Sequence, residues 1–372
     1  MDVKYESESS IQNTFKSIAE RFPFAVGKKL LSDLFIPTKL GWSNTLINLR
    51  NFDESKAVKH AGKILLNSFI NHTLAGDKLV KLYGFEKMPH LAEFKKAINE
   101  RALEIDVPQN AFKDKLPWAV CDSEVLKLNE QKAPQLCEIK RVGSAVYFIF
   151  CSVRSFHERV ELEKSLFEEA EREKLEDFSE IIGIRPVRRQ AFDAVVIHLD
   201  RDLVELRVDS PLGLPVDQRK HAADNLRFIF DALSIENFGY GPFGTAPKNF
   251  VKIITNLYNE KSEGKVFELG FTANAKESSS NNGAKLLRKK GQDLRSDKFH
   301  TGGKGAVDSI DPYTIGVEWE HVNFNGRPKL IVPGSVRMLY ASPIIFPEVL
   351  IRDCYSEDEF KFVLSKIDKY IA

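Results

Sequence analysis

Residues 192–209, FDAVVIHLDRDLVELRVD, constrain the fold more than any other stretch of this chain. Two β-branched runs flank Asp200-Arg201-Asp202, a spacing that makes an antiparallel hairpin. Val195, Ile197 and Leu199 alternate along the first run. In the second, Leu203, Glu205 and Arg207 alternate with Val204, Leu206 and Val208, which gives one apolar face. The next run, DQRKHAADNLRFIFDAL, sets Ala222, Leu226, Ile229 and Leu233 at helical spacing. A helix that follows a hairpin, instead of linking two parallel strands, points to an α+β layer and away from a βαβ unit.

Residues 1–115 read differently. Phe15 and Ile18 follow Ile11 at helical spacing, with Ser9 or Ser10 as the expected N-cap. Val26, Leu30, Leu31 and Leu34 continue a second helix up to Pro37. Val58, Ala61, Leu65 and Phe69 mark a third, with Gly76 ending it before DKLVKLYGF. PHLAEFKKAINERAL is a further helix. Short turns between helices predict a bundle, and hence a helical N-terminal domain over 1–115. Near Pro117 the character changes. PQLCEIKRVGSAVYFIFCSVRSF is β-branched and aromatic, with Gly143-Ser144 at its turn. An acidic segment, ELEKSLFEEAEREKLEDF, places Leu162, Leu166 and Ala170 on a thin helical stripe.

GYGPFGTAPKNF, from Gly239, has the composition of a linker. KNFVKIITNLY then predicts a helix. KVFELGFTAN, PYTIGVEWEHV, RPKLIVPG, VRMLYAS and EVLIRDCY predict strands. SEDEFKFVLSKIDKYI predicts a closing helix capped by Ser356, with Glu359 at the capping-box position and Phe360, Val363 and Ile367 inward. A chain of 372 residues has room for more than one core. The expected architecture is therefore α+β. A helical domain precedes a mixed, mainly antiparallel β portion with covering helices, arranged as two lobes over 116–238 and 239–372.

Lysine and arginine total 54 against 53 aspartates and glutamates, so no chain-wide field steers the protein toward nucleic acid. Electrostatic function requires local segregation of charge. Residues 281–305 supply it: Lys285, Arg288, Lys289, Lys290, Arg295, Lys298 and Lys304 are opposed only by Asp293 and Asp297, and His300 adds a donor. Asn281, Asn282, Gly283, Gly302, Gly303 and Gly305 leave the backbone open to close approach. These features predict a flexible basic loop that follows the phosphates of DNA or RNA. HTGGKGA lacks the spacing of a Walker A loop. Arg185, Arg188 and Arg189 form a second cluster, with Lys140, Arg141 and Arg154 on neighbouring strands. Arginine suits bidentate phosphate contacts. Ion pairing with Glu168, Glu169, Glu171 and Glu173 is the competing explanation.

Catalytic signals are sparse. Cys121, Cys137, Cys151 and Cys354 form no CxxC pair, which argues for buried thiols in place of a zinc site. No GxSxG nucleophile elbow is present, and His198 sits in an apolar strand. A metal-dependent nuclease would draw carboxylates from Glu205, Asp209, Glu268 or Glu318. The leading expectation is a non-catalytic nucleic-acid-binding adaptor within a larger assembly. It needs no cofactor and no metal, and its helical head docks a protein partner. The alternatives are the nuclease and a purely protein-binding component. MDVKYESESSIQ offers no apolar leader, and no run is long and apolar enough for a membrane span. The expected location is the cytoplasm.

Overall fold

The computed structural model describes residues 8–50, 56–120, 122–274 and 282–371. The chain begins with α1 (Glu8–Arg21), α2 (Phe24–Asp33), α3 (Gly41–Arg50) and α4 (Lys56–Ala75), followed by β1 (Lys78–Gly84), α5 (Leu91–Arg101) and α6 (Ser123–Asn129). The middle contains β2 (Gln135–Val142), β3 (Ala145–Glu161), α7 (Glu169–Lys174), β4 (Ile182–His198), β5 (Leu203–Asp209) and α8 (Val216–Phe238). Then come α9 (Val251–Asn259), β6 (Lys265–Asn274), β7 (Asn282–Arg288), α10 (Lys298–Gly305), β8 (Ser309–Glu318), β9 (Lys329–Val332), α11 (Val336–Leu339), β10 (Val349–Arg352) and α12 (Glu357–Tyr370). The fold is α+β, with a helical N-terminus and then strands.

Among the described residues, ten strands belong to one antiparallel sheet in the order β2-β3-β4-β5-β1-β10-β9-β8-β6-β7. Both hairpins expected from sequence are present: Val142 pairs with Ala145 around Gly143-Ser144, and His198 pairs with Leu203 around residues 199–202. Gly143 takes a positive φ of 62°, which the tight turn requires. Ser356 caps α12 by accepting from the Glu359 N–H. Phe360, Val363 and Ile367 are buried, as their spacing predicts.

β1 is the main departure. The segment KLVKLYG lies in the stretch read as helical, yet it is the central strand between β5 and β10. Leu79 and Tyr83 pack on one face of the sheet, and Val80 and Leu82 on the other. A short strand buried on both faces, here with lysines at 78 and 81, lacks the apolar-polar alternation that would separate it from a piece of buried helix. The helical head thus gives the sheet a strand that joins its two halves. The sheet also continues past residue 239. The Gly/Pro segment there is packed: Phe243 is buried against Tyr83 with ring centroids 4.8 Å apart, and the Lys248 N–H donates to the Leu82 carbonyl at 2.7 Å.

Other elements also differ from expectation. Ser9 and Ser10 lie inside α1, not ahead of it. The acidic segment forms only a 3-10 turn and the six-residue α7, at the end of the long β3–β4 hairpin. VRMLYAS contains α11 and no strand, because Ser335 accepts from the Met338 N–H and starts a helical turn. Residues 282–305 are not one flexible loop. They form β7, a 3-10 turn at Leu294–Ser296 and α10. Cys121, residues 275–281 and the side chains of Ile11, Val58 and Leu166 lie outside what is described.

Two main cores follow from the alternation of the strands. One face of β2–β5 and β1 packs α5 and α8 through Phe148, Val195, Leu206 and Phe230. The opposite face of β1, β10, β9, β8 and β6 packs α9 and α12 through Val80, Val317, Val349, Ile253 and Phe360. Phe15, Ile18, Leu31, Leu65 and Phe69 form a smaller core within α1–α4. Among the described residues, no helix is long and apolar enough to cross a membrane.

Candidate anion-binding cleft

Strand alternation that sends Val317, Leu330, Val332 and Ile351 into the core sends their neighbours to the other side of the sheet. There Arg288 stands opposite Glu268, Glu268 opposite Gly316, Gly316 opposite Ile331, and Ile331 opposite Leu350. Lys329 and Arg352 are paired in the next row. This surface is the floor of a cleft of about 980 Å³. Leu286 and Arg288 reach it from β7, Tyr313 and Thr314 from β8, Arg219 from the first turn of α8, and Asp77 and Asp353 from loops.

Three of the four cations that line it have carboxylate partners. Arg288 Nε lies 2.6 Å from Glu268, Lys329 Nζ 2.5 Å from Asp353, and Arg352 Nη1 3.3 Å from Asp77. The other oxygen of Asp77 accepts the Asp353 N–H at 3.0 Å. Burial raises the Asp77 pKa, and the Arg352 charge offsets part of that rise. Arg219 is different. Its Nε is buried without a hydrogen-bond partner, and no described carboxylate lies within ion-pair distance. Burial lowers its pKa, and the nearby Arg352 charge lowers it further. Glu348 acts in the opposite direction but also faces Lys81 at 3.8 Å. Two guanidinium groups near one another, one of them unneutralised, are suited to an oxyanion.

The residues expected to bind phosphate are scattered. Arg288 alone among them lines the cleft. Lys285, Lys290 and Lys298 are exposed, but Lys285 alternates with Leu286 and Arg288 and so leaves β7 toward the other face of the sheet, where exposed Lys304 of α10 lies 4.8 Å from the Tyr258 ring centroid. Lys289 is paired with Asp297. Arg295, 7% exposed, is an internal clamp: it binds Asp293 and the carbonyls of Leu257, Glu260, Glu263 and Gly264. His300 is buried and bonded to the Tyr258 hydroxyl at 2.9 Å, and burial lowers its pKa. Gly302, Gly303 and Gly305 lie in α10, where an added Cβ would meet nothing within 4 Å, so packing there does not demand glycine.

Arg185, Arg188 and Arg189 are on β4, at the other side of the sheet from β7. Arg185 pairs with Glu158 at 2.8 Å and Arg188 with Glu130 at 2.5 Å, while Arg189 lies 4.0 Å from Glu20. These partners come from β3, α1 and the end of α6, not from the acidic segment. The two basic clusters therefore lie on strands separated by six others in the sheet.

The nuclease carboxylates are split between the two faces of the sheet, with Glu268 and Glu318 on one of them. Glu205 and Asp209 are buried on the face opposite Glu268. Glu205 engages His198 at 2.6 Å and Arg207 at 2.7 Å. Asp209 engages Arg21 at 2.6 Å and Lys78 at 3.3 Å, and accepts the Phe192 N–H at 3.1 Å. Among the described residues, no group of three or more His, Cys, Asp or Glu could hold a metal ion. The described cysteines, Cys137, Cys151 and Cys354, are buried free thiols.

Sequence reasoning missed Arg219, Lys329, Arg352, Asp77 and Asp353. Only alternation with apolar neighbours in KLIV and VLIR hinted that Lys329 and Arg352 share a face. The chain matches no protein-family model and shows no significant similarity to a curated protein.

Proposed function

We propose that the chain binds a nucleic-acid strand through its phosphates, as a non-catalytic adaptor. The path runs from the exposed β7–α10 edge into the cleft. The carrying observation is the edge strand β7: Arg288 and Leu286 line the cleft, Lys285 is exposed on the other face of the same edge strand, and exposed Lys290 follows its end, so a strand would have to pass around this edge. Lys329 extends the positive surface along the cleft floor, and Lys298 is an exposed cation at the start of α10. The single-stranded form of DNA or RNA is the ligand tested first, because its exposed phosphates can follow an open cleft of about 980 Å³. Phe267, half-buried in the cleft lining with Lys329 5.6 Å from its ring centroid, offers aromatic surface beside a cation, the combination that single-strand binders use.

The test is binding of a labelled single strand and a labelled duplex at several salt concentrations. Changing Lys285, Lys290 and Lys298 to Ala should weaken single-strand binding. It should also flatten the slope of log affinity against log salt by roughly 0.7 for each phosphate no longer neutralised. Identical slopes for the wild type and the triple variant would remove the phosphate track. The strand should remain intact when magnesium is added; cleavage would return the nuclease alternative.

The adaptor part of the reading draws on the helical head. Phe35 is 94% exposed and Leu40 88% exposed, both in the connection between α2 and α3. Two solvated apolar side chains in one short connection suit a protein partner. Proximity labelling in cells from wild-type protein should lose specific neighbours in a Phe35→Asp/Leu40→Asp variant. Unchanged neighbours would take the head out of the proposal.

A further inference from the structure

We infer that the α8 end of the cleft is a pocket for a phosphate monoester, formed by Arg219 and Arg352. In its strand-end form, this inference rests on the nucleic-acid reading above. Arg219 reaches the cleft from the first turn of α8, and Arg352 from the last residue of β10. The Arg219 Nε–H is buried and unsatisfied, a costly state for a charged donor unless a ligand accepts it. The acids around it are committed. Asp77 is shared between Arg352 and the Asp353 N–H, Asp353 holds Lys329, and Glu348 faces Lys81. This end of the cleft therefore has unneutralised positive charge and an unused donor in one place.

The chemistry favours a monoester over a diester. A monoester carries roughly −1.5 to −2 charge near neutral pH and presents three acceptor oxygens. Two guanidinium groups can share those oxygens, and the second negative charge offsets the repulsion between Arg219 and Arg352. The fold adds a geometric reason. α8 packs on the β5–β1 side of this same sheet face, so a strand lying along the cleft meets α8 and ends there. A phosphorylated terminus is then the group presented to Arg219.

Two measurements on the full chain separate the pocket from its occupant. In the first, inorganic phosphate is titrated by calorimetry into wild type, Arg219→Gln and Arg219→Lys. Wild type should bind, Arg219→Gln should lose binding, and Arg219→Lys should retain part of it. No binding by wild type, or equal binding by a folded Arg219→Gln, would overturn the pocket. In the second, single strands with a 5′-phosphate, a 3′-phosphate or no terminal phosphate are compared. Wild type should favour one phosphorylated end by about tenfold, and Arg219→Gln should bring that ratio to one. Equal affinity of wild type for all three would overturn the strand-end occupant while leaving the phosphate-track reading intact. Failure of every strand to bind would overturn the track reading, with the phosphate titration still deciding the pocket.

Discussion

At Asp209 the chain buries a carboxylate between Arg21 of α1 and Lys78 of β1. Removing one partner of such a cluster leaves charges without compensation in a place that water does not reach. Asp209→Ala should therefore destabilise the fold by about 3–5 kcal/mol. Arg21→Ala should cost less, because Lys78 and the Phe192 N–H remain on the carboxylate. Urea unfolding of both variants checks the order, and equal small losses would show that the cluster is not coupled as its geometry implies. Glu205 gives a pH signature. Burial alone would raise its pKa, but the Arg207 charge and the His198 hydrogen bond outweigh burial and hold it at about 2, below its ordinary 4.5. Because the folded-state value is depressed, its stabilisation is complete above pH 4.5 and is lost as pH falls through about 2. Glu205→Gln should have a flatter fall in stability across that window than wild type. Parallel acid transitions would assign the stability to other groups.

β1 and the β7–α10 segment carry the consequences at the level of elements. A fragment of residues 117–372 retains β2 to β10 and their covering helices α8, α9 and α12, but it lacks β1. β5 and β10 would then lose their shared neighbour, and Val80 and Leu82 would be missing from the core. The fragment should be insoluble or lack a cooperative melt, and adding back the chain from residue 76 should restore folding more than α1–α3 do. A stable, cooperative 117–372 fragment would show that the sheet closes without β1. In the basic segment, brief trypsin treatment should spare Arg295, whose guanidinium is clamped by four carbonyls and Asp293. Exposed Lys290 and Lys298 are the sites to compare with it. Early cleavage after Arg295 would mean that this clamp opens readily.

The whole molecule is organised by one sheet with its major cores on opposite faces, joined at β1. Shared hydrogen bonds and shared side chains along that strand should couple the halves into one unfolding transition. The tryptophans report on them separately: Trp42 and Trp118 belong to the N-terminal part, and Trp319 is buried in the C-terminal core. Variants that keep only Trp118 or only Trp319 should unfold in guanidinium with coincident midpoints. Separated midpoints would mean two lobes that unfold independently.

Local pattern alone determined the hairpins at Gly143-Ser144 and residues 199–202, the amphipathic α8 and α12, and the Ser356 cap. Each depends on contacts within a few residues or on a period that matches one element. Pattern could not assign β1, because a strand buried on both faces loses its alternation. It also misjudged the basic segment. Charge density is visible in a sequence, but the Glu268, Asp297 and carbonyl partners that occupy Arg288, Lys289 and Arg295 are supplied by folding. The same reason hides the cleft. Asp77, Arg219, Lys329 and Arg352 are far apart along the chain, and only the antiparallel register of β10, β9, β8 and β6, with α8 beside them, brings their side chains to one surface.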